Sequence, residues 1–117
     1  MVDLALNESP ASLPRDRTYC RFPLIDGTGN PSWLLRTAIE TVVCLLRSAT
    51  PTLVYCSAGL SRSPCVAGAA MAIVRGCSLD EGLKLVLQSG PADVSPALWA
   101  DVCATIAPAF PNAAEPQ

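Results

Sequence analysis

The feature that most constrains this chain is residues 53–64, Leu-Val-Tyr-Cys-Ser-Ala-Gly-Leu-Ser-Arg-Ser-Pro. An apolar run ends at Cys56, a loop of small residues follows, and Arg62 closes it just before a helix start marked by Ser63-Pro64. A loop of this length can curl so that successive backbone N–H groups point inward and bind an anion. The helix adds its unpaired N–H groups and the positive end of its dipole. The same field favours the thiolate form of Cys56, the nucleophilic form of cysteine. Gly59 permits a turn that a side chain would block. Arg62 offers a planar fork of donors that matches two phosphate oxygens. The Ser63 hydroxyl stands where it can stabilise a departing thiolate. The stretch reads as a phosphate cradle with a nucleophile at its base. The competing reading is a structural cysteine in a chance turn.

The pattern Cys56-x5-Arg62-Ser63 with Gly59 inside resembles the signature loop of the cysteine-dependent protein tyrosine phosphatases. The run Cys-Ser-Ala-Gly-Leu-Ser-Arg-Ser-Pro is most similar to the dual-specificity branch. That resemblance implies a phosphatase acting on phosphotyrosine and phosphoserine or phosphothreonine through a phosphocysteine on Cys56. Ser57, Ala58, Gly59, Leu60, Ser61 and Arg62 would bind phosphate, sulfate or vanadate. It implies no cofactor and no metal.

Hydrolysis of a phosphate ester also needs a proton donor for the leaving oxygen. The aspartates are Asp3, Asp16, Asp26, Asp80, Asp93 and Asp101. Asp26 fits best, because it follows a strand and sits on a loop with glycines on both sides of Thr28. In the resembled family the general acid lies on such a loop at a similar distance before the cysteine. The competing reading is an Asp-Gly turn. Catalysis is therefore assigned to Cys56, Arg62, Asp26 and Ser63.

The chain departs from the family in two ways. The resemblance implies histidine before the nucleophile, where this chain has Tyr55, and the sequence contains no histidine at all. Ser-His-Asp and Cys-His activation are thereby excluded. Tyr55 can hydrogen-bond but cannot carry a positive charge, which predicts a raised thiol pKa and a slower enzyme unless the loop compensates. A low-activity phosphoprotein-binding module is the alternative. The second departure is a short front. Family members have strands before the region that Val2 begins, so the strand bearing the cysteine is expected to lie exposed, with a homodimer or a rearrangement covering it. Sulfur transfer and arsenate reduction fit the order of loop and acid less well.

Elsewhere, helical periodicity marks residues 31–47, with Leu34, Leu35, Ala38, Ile39, Val42, Leu45 and Leu46 facing a core. Asn30 is its expected cap, with Pro31 at the first position. Further helices are expected at 63–75, at 79–88 behind a Ser78/Glu81 capping box, and at 96–106, opened by Ser95-Pro96. Strands are expected at 2–6, where Asp3 weakens the apolar pattern, at 18–24 and at 51–55, the last as the central strand. The expected fold is α/β, a small mostly parallel sheet flanked by helices, dual-specificity-phosphatase-like but lacking the first strands. Residues 1–107 form the expected catalytic domain and 108–117 a loose tail.

Net charge is −2, with no basic run, which argues against nucleic acid or a membrane surface as partner. The front lacks the basic region of a signal peptide. The six cysteines include no Cys-x-x-Cys pair and read as free thiols in the cytoplasm. Cys20, Cys44, Cys65, Cys77 and Cys103 are expected as small buried hydrophobes, any of which could pair with an oxidised Cys56.

Overall fold

The computed structural model describes residues 1–6, 19–56, 61–90 and 92–110. The elements in chain order are β1 (Val2–Asp3), β2 (Cys20–Arg21), α1 (Ser32–Arg47), β3 (Val54–Tyr55), α2 (Arg62–Arg75), α3 (Leu79–Leu87) and α4 (Pro96–Ile106). The strands form a parallel sheet in the order β2-β1-β3. The expected fold class is therefore the observed one. β1, not residues 51–55, is the central strand, and β3 is an edge among the described residues, as the short front predicts.

The reason lies in residues 2–5. Val2, Leu4 and Ala5 are completely buried, as a strand with neighbours on both sides should be. Asp3 lies between them and made this stretch read as a weak strand, yet it too is buried. Ladder bonds continue past the formal strand ends. The Val2 N–H donates to the Leu53 carbonyl at 2.7 Å and the Leu4 N–H to the Tyr55 carbonyl at 2.9 Å. Phe22 N–H donates to the Asp3 carbonyl at 2.8 Å. Since residues 53 and 55 of β3 face β1, the N–H and C=O of Val54 point away from it.

The expected helices are present, with ends moved by at most one residue. Ser78 Oγ accepts from the Glu81 N–H and Ser95 Oγ from the Leu98 N–H, so two of the caps are formed as read. The third is not. Asn30 caps nothing: α1 starts at Ser32 behind Pro31, with no side-chain cap. The Asn30 side chain turns back instead. It accepts from the Ile25 N–H at 2.7 Å and donates to the Ile25 carbonyl at 2.8 Å, closing loop 25–30. The amide of Asn30 thus does for Ile25 what a neighbouring strand would.

The core joins Val2, Leu4 and Leu24 from the sheet side to Leu35, Ile39 and Val42 of α1, Val66 and Ala69 of α2, and Leu98, Val102 and Ile106 of α4. Each large aliphatic side chain so enclosed contributes roughly 1.5–3 kcal/mol. The small residues of α2 serve a closer contact than the sheet requires. Gly68 of α2 and Gly82 of α3 let the two helix backbones touch, because a Cβ on Gly82 would lie 2.7 Å from Ala72 Cβ. Phe110 still packs against the core beyond α4. Residues 111–117, the rest of the expected tail, lie outside the described residues. No helix among the described residues is long and apolar enough to cross a membrane.

The cysteines differ more than expected. Cys56 and Cys65 are buried, Cys20, Cys77 and Cys103 are half-buried, and Cys44 is exposed on α1. Its position on the outer side of an amphipathic helix overrides the general preference of cysteine for the interior.

Candidate active site

β3 delivers Cys56 to the carboxyl end of the sheet, where it is buried at 7% exposure. Residues 57–60, the expected phosphate-binding Ser57, Ala58, Gly59 and Leu60, lie outside the described residues. Beyond them the geometry is specific. α2 begins at Arg62, so its N-terminal N–H groups follow the loop directly. Ser61 stands at the cap position but does not cap with its side chain. Its Oγ accepts from the Ser95 N–H at 2.9 Å, tying the start of α4 to the end of the loop.

The Arg62 guanidinium is held by main-chain carbonyls. Nη1 donates to the Leu24 oxygen at 3.0 Å and lies 3.5 Å from that of Leu4. One side of the fork is thus fixed to the end of β1 and to the base of the Asp26 loop. Ser63 Oγ is buried and has no hydrogen-bond partner among the described residues. A buried hydroxyl without a partner is uncommon and costs free energy.

Asp26 is exposed on the loop that Asn30 closes. Its charge bears on Cys65 of α2. Burial first, and then the charges of Asp26, Cys103 and Cys56, push the Cys65 thiol up to about 12. Cys65 is therefore a neutral thiol at physiological pH and a poor nucleophile.

On the other face of the sheet a second constellation was not legible as a site. Val54 faces α1, α2 and α3 across a groove of about 240 Å³, so its neighbour Tyr55 points to the opposite face. There the register sets Tyr55 and Arg21 on either side of Asp3. The Asp3 carboxylate accepts from the Ala5 N–H at 2.9 Å and from the Tyr19 hydroxyl. Arg21 Nε lies 3.9 Å away. Burial alone would raise the Asp3 carboxyl, but these hydrogen bonds and the Arg21 charge outweigh it and hold the group below 3.8. Such a group stabilises the fold above its ordinary pKa, and that contribution is lost as pH falls through the lowered value. Tyr55 moves the other way. Burial, then hydrogen bonds with Tyr19 and Asp3, push its hydroxyl above the ordinary phenol range, so it stays protonated and donates. The available signal was an acidic residue between fully apolar ones in a strand, with tyrosines in two other strand regions.

A parallel sheet with the cysteine loop at its carboxyl end and helices packed behind defines the fold of the dual-specificity phosphatases. Human DUSP28 superposes with a TM-score of 0.75 at 24% identity, over 89% of this chain and 71% of its own. A mouse putative dual specificity phosphatase, complexed with zinc tungstate, gives 0.76 at 23% identity over 93% and 73%. OH1 from the Orf virus, a tyrosine phosphatase with triple substrate specificity, gives 0.62 at 18% identity over 93% and 69%. No protein-family model and no characterised protein matches the chain in sequence.

Proposed function

We propose that the protein is a cysteine-dependent phosphatase of the dual-specificity type, hydrolysing phosphotyrosine and phosphoserine or phosphothreonine in proteins. The observation that carries the reading is Cys56-x5-Arg62-Ser63 set between the end of β3 and the start of α2, in the fold that dual-specificity phosphatases share. In the first step the Cys56 thiolate forms a bond to phosphorus and the ester P–O bond breaks. Asp26 gives its proton to the leaving oxygen. The loop N–H groups, the α2 terminus and Arg62 hold the phosphoryl oxygens. In the second step Asp26 takes a proton from water, which attacks phosphorus. The P–S bond breaks, and the Ser63 hydroxyl, which has no other partner among the described residues, donates to the returning thiolate. The chemistry needs a reduced thiol and suits a cytoplasmic protein.

Hydrolysis of an aryl phosphate across pH tests the reading. Cys56→Ser is expected to abolish turnover while vanadate or phosphate still binds. Asp26→Asn is expected to lower kcat about 10²–10⁴-fold, the usual contribution of general acid catalysis. Turnover that survives Cys56→Ser would refute the phosphocysteine route. A second reading, a phosphoprotein-binding module of low activity, is favoured by Tyr55, which stands where the family has histidine and supplies no positive charge to the thiol. Wild type that binds vanadate but does not turn over would establish it.

The same reading includes a homodimer across the edge of β3 that no described strand covers. Leu53 is 55% exposed there, and no strand among the described residues pairs with the outward N–H and C=O of Val54. Light scattering at micromolar concentration should give twice the chain mass. A monomer whose β3 amides are nonetheless protected from hydrogen exchange would count against it.

A further inference from the structure

We propose that Asp3 is a positioning residue for the nucleophile: its carboxylate holds the Tyr55 hydroxyl, and through it the residue that immediately precedes Cys56. The catalytic consequence rests on the phosphatase reading; the positioning itself does not.

The argument starts from what holds β3 in place. Among the described residues β3 is paired on one side only, through a two-residue ladder with β1 and one further bond at each end. So short an edge strand is weakly specified in register, and a slip of one residue would turn every side chain to the other face. Cys56 would then leave the site. Val54 does not prevent this, because it borders an open groove rather than a closed core. Tyr55 does, because the register sets it directly beside the Asp3 carboxylate, on the face away from the groove.

That place is built at a cost. A carboxylate at 1% exposure is expensive unless paired and hydrogen-bonded. Here the charged and titratable groups that face it come from both flanking strand regions: Tyr19 and Arg21 on one side and Tyr55 on the other. The Ala5 N–H completes the set from its own strand. A buried ionic group is poor evidence for stability, and an apolar side chain would pack this face as well. What the carboxylate adds is direction. A phenol bonded to a fixed acceptor has a set position, whereas a phenyl ring packed on a flat face does not.

The other side of the site depends on the same stretch. Arg62 Nη1 lies 3.5 Å from the Leu4 carbonyl, one residue beyond Asp3. Residues 3–4 of β1 thus orient the residue before the nucleophile on one face and the phosphate-binding guanidinium at the strand end. This explains why β1, not β3, is the central strand of a site whose chemistry lies on β3.

The test uses Asp3→Leu, which removes the acceptor, Tyr55→Phe and the double variant in the full chain, with two readouts. The first is kcat and KM for an aryl phosphate. Each single variant is expected to lower kcat about tenfold with KM within about twofold, the effect of losing one hydrogen bond to a charged group that sets the attacking geometry. The double variant should be no slower than the worse single, since both break one contact. The second readout is alkylation of Cys56 by iodoacetamide, followed by peptide mass spectrometry above the thiol's titration midpoint. It needs no turnover. The rate is expected to rise at least about threefold in both variants, because a loosened β3 exposes a buried thiol. Additive losses, losses confined to KM, or an unchanged alkylation rate in folded variants would overturn the proposal. If Asp3→Leu does not fold, Tyr55→Phe decides alone, since it removes one hydroxyl and keeps the ring. A wild type without turnover would end the phosphatase reading, and the alkylation rates would still decide the positioning.

Discussion

Arg62→Ala should lower kcat/KM for an aryl phosphate by about 10³-fold, with Arg62→Lys nearly as damaging. The first loss is electrostatic. A preorganised donor aimed at transition-state charge is worth about 10²–10³-fold when removed. Lysine keeps the charge but not the fork, and a point charge on a flexible stem cannot span two phosphoryl oxygens. The second loss is geometric. Nη1 already donates to Leu24 at 3.0 Å, so the guanidinium plane is fixed before any phosphate arrives. Lysine cannot reproduce that bond and a parallel phosphate contact together. Vanadate affinity should fall alongside kcat/KM in both variants. The accompanying loss of stability should be only about 1 kcal/mol, the worth of a surface-accessible hydrogen bond to the main chain. An Arg62→Ala enzyme within tenfold of wild type would remove Arg62 from the phosphate site.

Gly82→Ala is the substitution expected to harm the fold most. Alanine ordinarily improves a helix interior by about 1 kcal/mol over glycine. Here the added Cβ would sit 2.7 Å from Ala72 Cβ, 2.8 Å from Ala72 N and closer still to the Gly68 carbonyl oxygen. Two of those atoms are backbone, so no side chain can swing aside. The helices must separate along their whole contact, which costs about 3 kcal/mol or more. Gly90→Ala provides the control, since nothing lies within 4 Å of its added methyl. Urea unfolding should show a large drop in midpoint for the first and almost none for the second. Equal midpoints would mean that α2 and α3 do not approach as described.

The parts that local chemistry determines were legible. The period of α1, the Ser78 and Ser95 caps and the cysteine-to-arginine spacing all depend on residues within one or two turns of each other. Features decided by distant partners were not. Asp3 counted against a strand because an unpaired carboxylate does not belong in one, and its partners Tyr19 and Tyr55 lie far along the chain. Asn30 read as a cap because its neighbours Pro31 and Ser32 begin a helix, yet its amide found the main chain of Ile25 first. Gly82 was unremarked, since only the approach of α2 reveals why a side chain is impossible there. The central strand was misplaced for a related reason. The chemical motif drew attention to β3, while centrality is a matter of who pairs on both sides. At the site, Cys56, Arg62 and Ser63 could be located by spacing. The engagement of the Ser61 hydroxyl by Ser95 could not, because it joins positions 34 residues apart.

The closure of loop 25–30 by Asn30 bears on where conformational freedom is lost. Holding a residue in one backbone state costs about 1–2 kcal/mol. In a loop that stays open until substrate arrives, that loss is subtracted from binding, and affinity falls with it. Here the Asn30 amide grips Ile25 through both its oxygen and its nitrogen, and its nitrogen lies 3.4 Å from the Gly27 carbonyl. The segment carrying Asp26 is therefore ordered when the chain folds, and a substrate meets it already shaped. Entry then requires no gate to swing, and the entropy of the segment belongs to the stability of the protein rather than to its affinity.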